Sequence, residues 1–301
     1  MASSVNKKNA VVIVVNQAFA HYAKPLINSI KRNWISHPEI LLFLSHDVNT
    51  ELEDWFSRID KVTVKRFNPA DYEYRKLLND GSGRFDSKDF NDAGYFIINF
   101  WDDTFAEYDD LLILDADMLV LKDLTELINT GSFTGVSAAN SRMLPVFSFD
   151  QPIFQKLFNL TSYYLKALSM GIYLKPYQSL NSGVVRIAKN DRSKSTFRIM
   201  LNLLKTFRKG CPGDQEIILL WMKKFNKKVS LDFRMNFQAR FFNALQNNDS
   251  SMLYHDEIRK AAEDVHIIHF NGPKPDSAEF LHHPWTLGRT ELVEMYESYL
   301  S

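Results

Sequence analysis

The sequence predicts an α/β protein: a mostly parallel sheet flanked by helices, with one helical insertion. Strand and helix signals alternate through residues 11–67, the pattern of a parallel sheet with helical crossovers. Leu111 to Leu114 is an aliphatic run too short for a helix and without polar alternation, so it reads as a strand covered on both faces. Of 301 residues, 45% are hydrophobic, which is ample for a sizeable core.

Taken in order, Val11 to Val15 is a buried strand, and Tyr22, Leu26, Ile27, Ile30 and Trp34 then recur at helical spacing. Ile40 to Leu44 is a second strand. Glu51 to Ile59 is an amphipathic helix through Leu52, Trp55, Phe56 and Ile59, and Val62 to Phe67 is a third strand. The resulting β-α-β-α-β order implies right-handed crossovers with helices on both faces. Residues 68–92, with Asn79-Asp80-Gly81-Ser82-Gly83, form a polar loop long enough to be functional. A helix from Ala93 to Phe105 leads into the strand at Leu111.

Beyond it, Asp123 to Ile128 reads as a short helix and Gly135 to Ala139 as a strand. Residues 140–180 are rich in aromatics (Phe147, Phe149, Phe154, Phe158, Tyr163, Tyr164, Tyr173, Tyr177); they read as a core-packed helical insertion, or else as an acceptor-binding wall. Asn181-Ser182-Gly183 is a turn entering the strand Val184 to Ile187, followed by a helix from Ser193 to Phe207. Gly213-Asp214-Gln215-Glu216 opens another helix, with acids in its first turn. Val229 to Leu231 and Val265 to Phe270 are strands, and Leu292 to Tyr299 is a terminal amphipathic helix.

Composition excludes several classes. Lys plus Arg and Asp plus Glu are both 36, so no overall charge draws the chain to nucleic acid or to an anionic membrane. Cys211 is the only cysteine, which excludes an intramolecular disulfide and fits a reducing compartment. Lys7-Lys8 followed by Ala10 to Val15 is too short a signal-peptide pattern and lacks a small-residue cleavage site. No run reaches the length of a membrane span. The expectation is a soluble cytoplasmic chain, with membrane contact at most peripheral and the sequons at Asn159 and Asn248 arising by chance.

The candidate chemistry lies at strand ends. Strand alternation would put Asp115 and Asp117 on one side, giving two hard oxygen donors at the carboxyl end of a strand, where open α/β sheets bind ligands. Taken singly, an Asp-x-Asp pair is a strand exit, Asn181-Ser182-Gly183 a turn, Asp214 a helix cap, and His269 a structural histidine. As an ordered set they form a site.

That set resembles glycosyltransferase family 8, the group that includes glycogenin and bacterial lipopolysaccharide galactosyl- and glucosyltransferases. The likeness runs from about residue 10 to residue 276. It is carried by Val15-Asn16 with Phe19, by Tyr108-Asp109 leading into Leu114-Asp115-Ala116-Asp117, by Leu180-Asn181-Ser182-Gly183, by Gly213-Asp214-Gln215, and by His269-Phe270-Asn271-Gly272-Pro273-Lys274-Pro275. The resemblance implies a single GT-A (Rossmann-like) domain: a nucleotide-binding half over 10–120, a metal and acceptor half over 121–276, and a helical tail over 277–301. It further implies a UDP-sugar donor, a hydroxyl acceptor on a glycan, lipid-linked glycan or protein, and transfer with retention of configuration. Asp115, Asp117 and His269 would hold Mn²⁺. Val15, Asn16, Phe19, Asp115, Ala116, Asp117, Ser182, Gly272 and Lys274 would bind the donor, and Asp214, Gln215, Asn181 and Lys274 would serve the chemistry.

Two departures from the family pattern stand out. Ile98 and Asn99 occupy the positions where the family carries a basic donor-binding residue, leaving Arg84 or Lys88 as substitutes. The histidine loop is also one residue shorter and ends Lys274-Pro275-Asp276, where the family has Trp after Lys-Pro.

The residue types suit the reaction. A departing diphosphate accumulates charge, which calls for a Lewis acid and a cation at its oxygens. One imidazole among oxygens favours Mn²⁺ over Mg²⁺ or Ca²⁺. The departing phosphate can take the acceptor proton, with Asp214, Gln215 and Asn181 orienting sugar hydroxyls; the alternative is a covalent intermediate on Asp214. Two competing readings are a degenerate sugar-nucleotide-binding module and a haloacid-dehalogenase-like phosphatase with Asp115 as nucleophile. Met118-Leu119 argues against the second, because that class carries Gly-Thr or a close variant there.

Overall fold

The computed structural model describes residues 7–78, 93–129, 136–137, 153–174, 180–207, 213–227, 230, 232–249 and 254–300. Its centre is a sheet of β1 (Asn9–Val15), β2 (Glu39–Ser45), β3 (Val62–Phe67), β4 (Asp110–Leu114) and β8 (Val184–Ala188), in the order β3-β2-β1-β4-β8. The first four run parallel and β8 closes the edge antiparallel to β4. Alternate residues of β1 explain the two-sided burial: Ala10 and Val12 pack into one hydrophobic layer, Val11, Ile13 and Val15 into the other.

One layer contains α1 (Gln17–Asn33), whose Ala20, Ala23, Leu26, Ile27 and Ile30 lie against the sheet, and α2 (Thr50–Ser57) through Phe56. Asn16 and Asn49 cap the two helices with side-chain oxygens that accept from Phe19 and Leu52 backbone N–H groups. The opposite layer holds α3 (Glu73–Leu78), the helix we label α6 (Lys194–Phe207) and α7 (Asp214–Lys224), together with the aromatic segment around Phe96, Phe100 and Trp101. Between them in sequence lie β5 (Met118–Val120), α4 (Thr125–Asn129), β6 (Val136–Ser137), the insertion helix α5 (Ile153–Ser169) and β7 (Leu180–Asn181). Tyr163 and Ala167 of α5 are buried in this layer, while Leu165 and Leu168 face solvent. Of the aromatics named in this insertion, Tyr163 is thus packed in the core and Tyr173 is exposed, while Phe147, Phe149 and Tyr177 and the side chains of Phe154 and Phe158 lie outside the described residues.

A second sheet of order β5-β10-β9 follows, from β9 (Phe237–Gln238) and β10 (Ile267–His269). It is backed by α8 (Arg240–Gln246), α9 (His255–Ala262) and the terminal helix α10 (Thr290–Glu297).

Several boundaries differ from expectation. The segment predicted as a helix over Ala93 to Phe105 has one helical turn at 93–96, then 3-10 turns at Ile97–Trp101 and Asp103–Phe105. Burial of every residue from Ile97 to Trp101 removes the one-sided pattern a helix would show. The loop predicted over 68–92 begins with a 3-10 turn at Pro69–Asp71 and α3; its polar run at 79–83, with Arg84 and Lys88, lies outside the described residues. So do Cys211, most of the strand predicted over 135–139, and residues 138–152.

Candidate active site

Parallel pairing sends the carboxyl ends of β1 and β4 to one edge of the sheet, and the antiparallel β8 begins there, with Val184 opposite Leu114. Val15-Asn16, Asp115-Ala116-Asp117 and Asn181-Ser182-Gly183 therefore converge. All of these but Gly183 line a cavity of about 550 Å³ together with Phe19, Ala93, Gly94, Ile97, Asp214, Gln215, His269, Asn271, Gly272 and Lys274. Every residue to which the resemblance gives a metal, donor-binding or chemical role is in this wall. Ile98 and Asn99 are not: Ile98 is fully buried, and Asn99 donates to Phe96 O at 2.7 Å. The cavity faces of that segment are Ala93, Gly94 and Ile97, none of them basic, so among the described residues Lys274 is the one lysine or arginine of the wall.

The Asp pair does not lie along a strand, as alternation predicts. β4 ends at Leu114, β5 starts at Met118, and the residues between bend from the first sheet into the second. Pairing of β5 with β10 then supplies the third donor, since His269 lies opposite Met118 and Phe270 N–H bonds to Asp117 O at 2.9 Å. His269 Nε2 stands 3.3 Å from Asp117 Oδ1 and 3.7 Å from Asp115 Oδ2. One ligand atom from each of the three lies within 4.8 Å of the others. Two hard carboxylates and an imidazole nitrogen at this spacing fit a divalent cation.

The orientation of His269 follows from a chain of hydrogen bonds anchored on a backbone donor. Gly183 N–H donates to Asn181 Oδ1 at 3.1 Å, which identifies that atom as the oxygen. Asn236 Nδ2 donates to the same oxygen at 2.6 Å, so Asn236 presents its Oδ1 to His269 Nδ1, 3.0 Å away. Nδ1 must carry a proton, which aims Nε2 at the two carboxylates, where its lone pair would serve an ion. This is the outer-shell arrangement that fixes metal-binding histidines. The Asn181 oxygen is thus engaged in the relay.

Asn236 escaped the sequence reading. We expect Asn236→Ala to weaken divalent-cation affinity about 10- to 100-fold while far-ultraviolet circular dichroism stays native; unchanged affinity by titration calorimetry would remove it from the relay.

Lys274 contacts Asp117 Oδ2 and donates to Phe270 O at 2.6 Å. Burial pushes the Asp117 carboxyl up, but attraction and hydrogen bonds from His269 and Lys274 outweigh it and hold it below the usual carboxylate range. Asp115 goes the other way: the enclosing protein raises it, His269 only partly offsets this, and Asp117 and Asp214 add repulsion. Its side chain keeps 44% of its surface exposed.

At the start of α7, burial pushes Asp214 up to about 6, against hydrogen bonds from Ser182 and from backbone N–H groups of Asp214 and Gln215. Glu216 is likewise pushed up to about 7 by burial, and Gln215 Nε2 donates to its Oε1 at 3.2 Å. Glu216 lies outside the cavity wall and was not singled out from sequence.

A parallel α/β sheet whose strand ends present an Asp-x-Asp bend beside a histidine defines a GT-A glycosyltransferase fold. Residues 10–275 match glycosyl transferase family 8, and the chain belongs to that family. Glycosyl transfer is accordingly its activity class, and the phosphatase reading is set aside. No curated protein sequence matches the chain.

Among solved structures it is similar to the galactosyltransferase LgtC in complex with donor and acceptor sugar analogs, at 15% identity and a TM-score of 0.62, covering 96% of this chain and 95% of that one. It is also similar to GlyE of Streptococcus pneumoniae TIGR4, at 21% identity and a TM-score of 0.57, covering 98% of this chain and 60% of that one. Mouse xyloside xylosyltransferase 1 aligns at 13% identity and a TM-score of 0.53, over 88% and 98% of the two chains. Among the described residues, no helix is long and apolar enough to cross a membrane.

Proposed function

We propose that the chain is a retaining hexosyltransferase that takes its sugar from a UDP-sugar and passes it to a hydroxyl acceptor with Mn²⁺ assistance, in the cytoplasm. The observation that carries this reading is the meeting of Asp115, Asp117 and His269 with Lys274 on the wall of one cavity.

Asp115, Asp117 and His269 would hold the ion, which supplies Lewis-acid neutralisation of the diphosphate. Val15, Asn16 and Phe19, at the β1 to α1 junction, are suited to the nucleoside, with the Phe19 ring as a stacking face. Ala116 and Ser182 present small side chains that let the donor approach the backbone. Gly272, with φ of 114°, turns the loop so that Lys274 returns over the Asp pair. The Lys274 ammonium, desolvated in the wall, stabilises the charge gathering on the leaving phosphate. Asp214, Gln215 and the Asn181 amide orient sugar hydroxyls, and the departing phosphate takes the acceptor proton on the same face, which retains the configuration.

Titration calorimetry with UDP and Mn²⁺, followed by UDP-release assays over a donor panel, tests the reading. Binding without turnover would instead identify a degenerate sugar-nucleotide module, and failure to bind UDP would reject both.

Lys274→Ala separates the lysine from the ion. Charge on the leaving phosphate peaks in the transition state, so kcat should fall about a hundredfold while Mn²⁺ affinity changes little. Normal kcat at saturating donor and metal would reassign the phosphate contact to the 79–92 segment carrying Arg84 and Lys88.

A further inference from the structure

The loop that starts at His269 and carries Lys274 ends at Asp276, the first residue beyond the family match. The Asp276 carboxylate is divided between neighbouring side chains of α1. Tyr22 Oη donates to Oδ1 at 3.2 Å, and His21 Nε2 lies 3.3 Å from Oδ2. The His21 and Tyr22 rings sit 3.8 Å apart, and Tyr22 in turn reaches Phe19 at 5.9 Å. Lys274 Nζ stands 5.8 Å from the Phe19 ring and 6.0 Å from that of Tyr22. The outer end of the loop is therefore fastened to the helix whose first turn lines the cavity, and the catalytic-site lysine hangs between the fastening and Asp117.

We infer that Asp276 is a positioning residue that latches the His269 to Asp276 loop onto α1 and so holds Lys274 over the donor site. The inference rests on the proposed role of Lys274. Three physical points support it. His21 and Asp276 are 45% and 37% exposed at their side chains, and polar contacts this open to water contribute little to global stability, so the contact acts mainly on local geometry. Lys274 must exchange Asp117 for a phosphate oxygen when a diphosphate enters, which removes the contact between the lysine side chain and the Asp117 carboxylate during the exchange. Pro273 and Pro275 limit how the chain can bend around Lys274, so fixing Asp276 fixes the lysine backbone as well.

The test has two arms. Hydrogen–deuterium exchange on the enzyme alone should show faster exchange at the amides of Asn271, Gly272, Lys274 and Asp276 in Asp276→Ala, with β4 and β10 unchanged. In UDP release at saturating UDP-sugar and Mn²⁺, Asp276→Ala should lower kcat about tenfold, the scale of a small misplacement, with donor KM changed less and Tm unchanged. Asp276→Asn, which still accepts from Tyr22, should recover much of that loss. Tyr22→Phe should reproduce part of it, and should add little on top of Asp276→Ala.

Unchanged exchange in Asp276→Ala overturns the latch, as does raised exchange with wild-type kcat or strict additivity with Tyr22→Phe. Absence of UDP-sugar turnover in the wild type would reject the functional reading instead, and the exchange arm would still decide whether the latch exists.

Discussion

Asp117→Asn is expected to lower kcat/KM roughly a thousandfold while the protein stays folded. Asp117 is the most constrained group of the site: it faces His269 Nε2 at 3.3 Å, contacts Lys274, and is held ionised against its burial by those neighbours. An amide of the same shape keeps the volume but removes the negative charge that both partners face. A divalent cation then loses one of its two carboxylate ligands, and the Lys274 ammonium is left without a counter-ion. Asp115→Asn should produce a similar loss of activity with less effect on stability, because Asp115 is the more open of the two. The measurements are metal titration, UDP release and thermal unfolding of both variants beside the wild type. Full turnover by Asp117→Asn, or by the wild type in EDTA, would exclude a catalytic metal at these residues.

Much of this was legible in the sequence because the informative residues act where they stand in the chain. β1, β2 and β4 are buried on both faces, so unbroken apolar runs mark them, and the sequence limits of β3 match those observed. Parallel pairing makes the ends of such strands neighbours, which is why Val15-Asn16, Asp115-x-Asp117 and Asn181-Ser182 meet in the cavity although they are far apart in sequence. What escaped reading depends on contacts that sequence does not display. Asn236 ends a 3-10 turn and directly precedes the two-residue strand β9, too short for any periodicity, and its partners are 55 and 33 residues away. α8 and α9 are short, and their burial comes from Phe241, Ile258 and Ala261 meeting the second sheet. Strand alternation does not capture the bend at Asp115 to Asp117, because the second sheet that draws the chain away is completed by β10, far along the sequence.

The Asn181-Ser182-Gly183 motif shows how a turn residue can govern a ligand it does not touch. Gly183 has no positive φ, so its backbone would accept a side chain; the constraint is space. A Cβ there would stand 2.4 Å from Met118 Cε, 2.6 Å from His269 Cε1 and 2.8 Å from His269 Nδ1. Met118 has a flexible thioether and can yield. His269 cannot turn away without breaking its bond to Asn236 and withdrawing Nε2 from Asp115 and Asp117. Gly183 O also accepts from Asp115 N–H at 2.9 Å, so a recoil of the turn would move a carboxylate as well as the imidazole.

We therefore expect Gly183→Ala to weaken Mn²⁺ binding at least about tenfold and activity about a hundredfold, with a stability loss of about 1–3 kcal/mol from overpacking. Pairing it with Met118→Ala, which frees space on one side only, should restore stability more than it restores metal affinity. Recovery of both to the same extent in calorimetry and thermal unfolding would show that the crowding acts through Met118, and that Gly183 does not control the histidine.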